Sequence, residues 1–508
     1  MIFEALCAHG SLTISLAYAA TFCYFCPMPR VPSSADYDAL PYDGQPDPLM
    51  HPNRAAAVAA FFGLHAAPPR RARVLDIGCA TGTHLIPMAY QFPEASFVGF
   101  DYSPAQIKLA RATADALGLR NVDLHVRDLA RPADDLGTFD YIIAHGIYSW
   151  IPAGLRPRLL ELCQRHLSPH GIALIDYNVL PGWHFKQILR DIMSLDAAGD
   201  LGAAATGSLE LLDFVGENLL APGTPYGQAV GQLQKWARPQ AVHYLAHEFA
   251  APVNDPVLFT AFAAEARAAG LEPAGDMQIG TALPPQVAAR IAPRLAALSN
   301  GDVIRREQIM DFLRGREFRR TLLVHKGVWF AGEPQPEAAA ELFFSTAARP
   351  EGVGTYRTPD GAALRTGDAR IVRVMDALCR AAPGAVPFAD LATRTGEQAA
   401  ALGELLLRLA VGGIIQPMAE APAIATAAGE CPRASPIARL EAQRGRTVVT
   451  TLCHQAWAID AFGRRLLPLL DGTRERTALL AAVGVAGASE EVLGNMLKWM
   501  AQIGLLEG

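Results

Sequence analysis

The chain has 508 residues, 51% of them hydrophobic, enough for packed cores in two to four domains and too apolar for a disordered protein. Its net charge of −6, with no run of five like charges, argues against a dedicated surface for nucleic acid or an acidic membrane, because tracking phosphates requires clustered cations. The eight cysteines are scattered, and the one C-x-x-C, Cys23 and Cys26, lacks a second Cys or His pair, so free cytosolic thiols are expected and no metal.

Residues 1–35 hold an apolar stretch of about 17 residues without the basic flank of a signal peptide. A tail ahead of a true start near Met28 is the favoured reading, over a signal or anchor and over a helix of the fold. No other segment is apolar enough to span a bilayer, so the expected compartment is the cytoplasm. From Arg73 short β-type runs alternate with helical stretches, the pattern of a doubly wound parallel sheet. Strands are predicted at 73–78, 96–101, 122–128, 139–146 and 171–178. Helices are predicted from Thr83 to Phe92, after the Ser103-Pro104 cap, and from Arg156 to Leu167. In the second of these Ile107, Leu109, Ala110 and Leu117 form the apolar face and Gly118 the stop. After Pro181 the pattern turns helical, then returns to strands near 271–277 and at 318–325. One interrupted sheet accounts for this: a core at 36–196, a helical insertion at 197–250 and sheet completion at 251–330. A Gly, Pro and Ala-rich linker at 331–340 opens a C-terminal domain, 331–508. Within it "LGELLLRLAVGGIIQP" (402–417) aligns without gaps with "LGNMLKWMAQIGLLEG" (493–508). Each reads as an amphipathic helix that ends at a Gly before a short strand, as in a winged-helix unit. Two similar small modules are expected, or one with a degenerate copy.

The segment "RVLDIGCATGTH" (73–84) carries the chemistry. A dinucleotide fingerprint needs Gly at 78, 80 and 83, and those positions hold Gly78, Ala80 and Thr83. An acid ending the strand, Asp76, repels a pyrophosphate but suits a ligand that bears an ammonium and a sulfonium, such as S-adenosyl-L-methionine. Asp101 and Asp128 stand at the ends of the next two strands, so three carboxylates are expected to face one crevice. Each alone could be a helix cap; the three together are hard to explain that way.

"VLDIGCATG" resembles motif I of class I S-adenosylmethionine-dependent methyltransferases. The resemblance implies an α/β, Rossmann-like sheet with a helical insertion and a winged-helix-like α+β C-terminal domain. It implies that Asp101 accepts from both ribose hydroxyls and Asp128 from the adenine amino group. The cofactor-binding set expected with it is Asp76, Gly78, Cys79, Ala80, Gly82, Asp101, Tyr102, Asp128, Leu129 and His145, to which Tyr42 is added as an aromatic that could shield the sulfonium; no metal is expected. Ala80 departs from the middle glycine of the class and narrows the space there. From Tyr37 onward "YDALPYDGQPDPLMHPNR", "HGIYSWIP", "YNVLPGWH", "NDPVLFTAFAAEARAAGL" and "REQIMDFLRGREFRRTLL" are similar to bacterial methyltransferases with a methyltransferase regulatory domain. That family includes rickettsial protein-lysine methyltransferases that modify an outer-membrane protein.

A lysine acceptor must lose a proton before transfer, which calls for polar groups beside the reacting nitrogen. Candidates lie after strands 4 and 5: His145, Tyr148, Tyr177 and Asn178 as catalytic residues, with Trp150 and Trp183 near them. The bland reading of Tyr148, Trp150 and Trp183 is loop packing. Tyr37, Tyr42 and His51 lie in 37–54, which is expected either to fold over the cofactor as a lid or merely to lead into an N-terminal helix. The two echo segments carry only Arg408 and Lys498 as cations, so the winged-helix region is expected to bind protein rather than DNA. The expectation is a methyltransferase acting on protein lysine; the alternatives are a small-molecule N- or O-methyltransferase and a non-enzymatic cofactor-binding regulator.

Overall fold

A computed structural model describes residues 44–508 except 132–134, 196–200, 241, 280–284 and 485–488, together with Ser34, Asp38 and Tyr42. Of 201–205, 243, 250 and 285–289 only the backbone is described. The expectations for residues 1–33, for Cys23 and Cys26 and for Tyr37 lie outside the described residues.

After helix α1 (Pro52–Phe61), strands and helices alternate: β1 (Arg73–Ile77), α2 (Leu85–Gln91), β2 (Ser96–Asp101), α3 (Pro104–Ala116), β3 (Val122–Val126), β4 (Phe139–Ala144), α4 (Arg156–His166) and β5 (Leu167–Asn178). The Ser103 side chain caps α3 by accepting from Gln106 N, as its sequence predicts. Leu109 corrects the predicted apolar face of α3: Ile107 and Ala110 are buried, but Leu109 is 50% exposed. It lies between the exposed Lys108 and the buried Ala110, on the edge of the stripe rather than its centre.

The sheet order is β3-β2-β1-β4-β5-β7-β6, with β1 to β5 parallel and β7 (Phe318–His325) inserted antiparallel between β5 and β6 (Leu271–Asp276). The strand order reverses between β1 and β4, which opens a crevice at the carboxyl ends of those strands. Between β5 and β6 the chain forms α5 (Trp183–Ser194), α6 (Leu201–Glu217), α7 (Pro225–Ala237), α8 (Val242–Leu245) with a π-helical turn, Ala246–Ala250, and then α9 (Phe259–Ala268). The helices α5 to α8 share a core of their own that includes Trp183, Leu212, Val230 and Phe249. This helical layer starts at Trp183, and its π-helical turn comes to the crevice mouth. α10 (Pro285–Ser299) and α11 (Val303–Arg314) lead into β7.

The C-terminal region contains two modules. The first has the antiparallel sheet β12-β8-β13 (β8 Phe343–Ser345, β12 Val386–Pro387, β13 Gln416–Met418) and helices α12 (Ala369–Ala381), α13 (Phe388–Thr395) and α14 (Ala399–Val411). A separate three-stranded sheet, β9 (Arg349–Gly352), β10 (Thr355–Arg357) and β11 (Ala363–Arg365), precedes α12. The second module packs α15 (Pro436–Gln443), the hairpin β14 (Val448–Thr450) and β15 (Ala456–Ala458), α16 (Ala461–Leu466), α17 (Arg476–Val483) and α18 (Glu490–Gln502). The two echo segments are α14 and α18, and the aligned Gly413 and Gly504 take φ +71° and +74° as each chain leaves its helix. The segment read as a linker is pinned to α1: Ala331 N and Gln335 N donate to the carbonyls of Phe62 and Phe61. Among the described residues no helix is long and apolar enough to cross a membrane.

Candidate active site

The crevice has a volume of about 640 Å3 and gathers residues from β1, β2, β5, β7, the loops after β1, β3 and β4, the insertion and the segment before α1. The loop after β1 sets its floor. Gly78 N and Cys79 N both donate to the Phe100 carbonyl, at 2.8 and 3.0 Å, and Gly82 N closes the turn on Cys79 O at 2.8 Å. Gly78 has φ +72°, which favours glycine by conformation, and a Cβ there would stand 2.1 Å from Ile147 Cδ1, so the Ile147 side chain would have to move. Ala80, where the class has glycine, also takes a left-handed φ of +47°. Its amide donates to Asp101 Oδ2 at 3.0 Å, which holds the loop in place despite the strain.

The three strand-end acids do converge on the crevice. Asp76 is 2% exposed and its Oδ2 has no hydrogen-bond partner. Burial raises its pKa to about 7, against the pull of His145 and with a push from Asp101 and Asp176. Asp101 accepts from Ser103 N at 2.8 Å as well as from Ala80, and burial raises its carboxyl. Asp128 accepts from Ala130 N at 2.9 Å. Tyr102 and Leu129 line the same end, Tyr102 exposed. Tyr42 lies at the mouth, its amide donating to Gln106 Oε1 at 3.2 Å and its ring edge-on to His247 with centroids 5.1 Å apart.

His145 follows β4 and its Nδ1 pairs with Asp176, whose second oxygen accepts from Gly146 N at 2.7 Å. Burial lowers the imidazole pKa, but the charge and hydrogen bond of Asp176 prevail and raise it to about 9. The ring is therefore an imidazolium at neutral pH, held by a fully buried carboxylate.

Tyr148 and Tyr177 do not reach the crevice. Along β5 alternate residues face opposite sides, so Asp176 and Asn178 share one face while Tyr177 points to the other with Ile175. There Tyr177 stacks on Phe262, centroids 4.0 Å apart, and its hydroxyl bonds Thr321 Oγ1 at 2.8 Å. Tyr148 is fully buried beside it, donating to Glu265 Oε2 at 2.6 Å. Burial pushes both phenols well above their usual range. Trp183 stacks on Phe249 within the insertion, the bland reading, whereas Trp150 lines the crevice. His51 caps α1, accepting from Asn53 N at 3.1 Å, and packs against Phe92 away from the crevice.

Asn178 lines the crevice together with His145 and Trp150, its Nδ2 donating to Asn254 Oδ1 at 3.0 Å and reaching Glu248 Oε1 at 3.4 Å. Glu248, absent from the sequence expectations, stands on the π-helical turn. Burial raises its pKa to about 7, with Asp176 adding to the rise and Lys186, Asn178 and Arg190 opposing it. Asp176, Lys186 and Arg320 were also missed. Lys186 pairs with Glu317 at 2.9 Å, and Arg320 with Asp47 at 2.7 Å. Asp176 had a legible signal: it is the one charge inside the apolar run "GIALIDYN". Glu248 had none, since π-helical turns leave no periodic trace. Asp47, His145 and Asp176 offer ligand atoms within 4.8 Å of one another, but the ion pairs with Arg320 and within the His145–Asp176 dyad already use these groups.

A mixed sheet with a strand-end acid in front of a tight glycine turn, and two more acids beside it, defines a protein of the nucleoside-binding methyltransferase class. Comparison with known proteins agrees on class. Residues 70–207 match a methyltransferase domain, 241–325 a predicted methyltransferase regulatory domain and 430–495 the C-terminal winged helix domain of PKMT. An uncharacterized protein of Rickettsia prowazekii, RP789, is 36% identical over 57% of this chain and 52% of its own length. A second, RP028, is 31% identical over 46% of this chain and 93% of its own length. The match thus spans about half the length of the first relative and nearly all of the second. The structure of PKMT2 from Rickettsia typhi in complex with AdoHcy superposes with a TM-score of 0.79 over 92% of this chain and 100% of that one, at 23% identity, a likeness of fold. The chain belongs to the methyltransferase family that carries a methyltransferase regulatory domain and a PKMT-type winged helix.

Proposed function

We propose that the protein is an S-adenosylmethionine-dependent methyltransferase whose acceptor is an amine, in the first place a protein lysine. The observation that carries the reading is Asp76: a buried carboxylate oxygen without a partner, at the end of β1, in front of a loop whose Gly78 takes a left-handed φ. A buried acid left unpaired is costly, and a ligand ammonium is what offsets that cost. When bound, S-adenosylmethionine supplies a methyl group on a positively charged sulfur. In this reading Asp76 holds the ammonium of the amino-acid part, Asp101 accepts from the ribose hydroxyls and Asp128 from the adenine. Cys79, Ala80, Tyr102 and Leu129 wall the nucleoside and Tyr42 closes the mouth from the N-terminal side, whereas Gly82, expected among the binding residues, faces Ile86 and Ala110 beneath the loop and does not line the crevice. The bound AdoHcy in the PKMT2 structure, whose fold matches, supports the same cofactor.

On the acceptor side Glu248 and Asn178 form a polar pair. A carboxylate whose pKa is near 7 binds an incoming ammonium and takes its proton, and the freed nitrogen pair is then available for in-line attack. Asn178 orients that nitrogen. The His145–Asp176 dyad fixes the loop after β4 and keeps Asn178 and Gly146 in register with the floor. We assign the winged-helix modules to binding a protein partner and the protein to the cytoplasm.

The second reading is a small-molecule acceptor, favoured by trans-aconitate 2-methyltransferase of Deinococcus radiodurans, 32% identical over 25% of this chain and 46% of its own length. Incubation with methyl-labelled cofactor and a lysate split into protein and small-molecule fractions separates the two. Label on protein lysines is expected. Label confined to the small-molecule pool overturns the lysine reading, and no heat with S-adenosylhomocysteine in calorimetry overturns the cofactor. Glu248→Gln is expected to lower transfer roughly 100-fold while S-adenosylhomocysteine affinity stays within about twofold.

A further inference from the structure

A second cavity, of about 850 Å3, lies where the segment before α1, α1 itself, the end of α14 and the β14–β15 turn meet. Arg54, in the first turn of α1, lines it. This side chain is only 9% exposed, and its Nε and Nη1 are sealed from solvent with no acceptor. Among the described residues no ion pair or hydrogen bond engages the guanidinium, and Nη2 is not among its sealed nitrogens. Burial lowers its pKa to about 10, with Asp47 resisting the fall, and the group stays a cation at neutral pH. Its position at the positive end of a helix makes the charge less favourable still.

The two acids that line the cavity, Asp47 and the exposed Asp360, form no salt bridge with Arg54. Asp47 accepts from Leu49 N at 2.8 Å and pairs with Arg320 at 2.7 Å, and Asp360 accepts from the Thr358 hydroxyl. An uncompensated buried guanidinium costs several kcal/mol and an apolar residue in its place would cost nothing of the kind. The other walls are mixed: Gln45, Gln416 and Gln455 offer amides, Arg314 a second guanidinium, and Leu49, Ile279 and Trp457 apolar surface. The volume lies in the range of small-molecule sites. We infer that this cavity binds a small organic anion, its carboxylate or phosphate meeting Arg54 and its body lying against Trp457 and the glutamines. The forked guanidinium matches either head group, and neither lies in the crevice chemistry described above.

The test is thermal unfolding of the full chain with inorganic phosphate or citrate, each against potassium chloride at equal ionic strength. At least one probe is expected to raise Tm saturably, and which one names the head group. Arg54→Gln is expected to unfold at or above the wild-type Tm without probe, since it removes an unpaired buried charge, and to lose the saturable rise. Any unsaturable rise from salt exclusion is common to both proteins and drops out of the comparison. Arg54→Lys keeps the charge without the fork and is expected to weaken the midpoint at least roughly tenfold, which covers the case where Arg54→Gln does not fold. No saturable rise with either probe, or a rise that survives in Arg54→Gln, overturns the site.

Discussion

Asp76 is the residue on which cofactor recognition turns, and its proton gives a handle on it. Burial raises its pKa to about 7, with Asp101 and Asp176 pushing the same way and the His145 imidazolium pulling down. A raised pKa on an acid means that the unliganded protein prefers the protonated form below about pH 7. An ammonium beside Oδ2 reverses the preference, so binding expels the proton. At pH 6 the wild type is expected to release about one proton per S-adenosylhomocysteine bound, falling toward none by about pH 8.5. Calorimetry in two buffers of different ionisation heat measures this. Asp76→Asn is expected to lose that release and to weaken binding roughly 10- to 100-fold, the worth of a charged hydrogen bond of about 1.5–3 kcal/mol. Equal proton release in both proteins sinks the assignment of Asp76 to the ammonium.

At the level of elements, period explains both what the sequence disclosed and what it hid. Strands 73–77, 96–101 and 318–325 and the Ser103 cap follow from alternation and capping residues. Tyr177 and Asn178 could never have shared a site, because neighbours on a strand face opposite ways; the parity of β5 was readable before any coordinates. Glu248 and Arg320 were not readable, because the first depends on a π-helical turn and the second on which strand joins the edge of β5. The paired helix ends offer a measurement of their own. Gly413 and Gly504 both adopt left-handed φ, but a Cβ at Gly413 meets nothing within 4 Å while one at Gly504 lies 2.7 Å from Cys453 Sγ. Gly413→Ala is therefore expected to cost only the conformational term, about 1–2 kcal/mol, and Gly504→Ala distinctly more. Urea unfolding of the two variants decides this, and equal losses would mean that the echo is not a packing difference at its ends.

At the scale of the whole molecule the C-terminal modules are part of the methyltransferase body. One core runs from the α1–α2 face of the sheet through Phe344 and Tyr356 into Leu402 and Leu406 of α14, and Asn53 exchanges hydrogen bonds with Glu420. The second module reaches the crevice floor through His454, whose Nε2 meets His84 Nδ1 at 2.9 Å and whose ring lies edge-on to His51, centroids 4.8 Å apart. Burial lowers the pKa of His51 to about 4 and that of His84 to about 3, with His145 and His51 lowering His84 further and Asp47 opposing. A histidine kept neutral in the fold but free to charge in the unfolded chain removes stability as pH falls below about 6.5. Carboxyls with raised pKa, Asp76, Glu248 and Glu441, act in the opposite sense over the same range, so the overall pH profile does not isolate the histidines. A difference between two proteins does. His51→Asn keeps an acceptor at the α1 cap and carries no titrating group. It is expected to be less stable than the wild type at pH 7, having lost the ring against Phe92 and His454, and its deficit is expected to shrink by about 2 kcal/mol between pH 7 and 5. Denaturant unfolding at the two pH values measures the change. A deficit that stays constant means that His51 charges as readily in the fold as in the unfolded chain, and that the junction between the modules is wet rather than sealed.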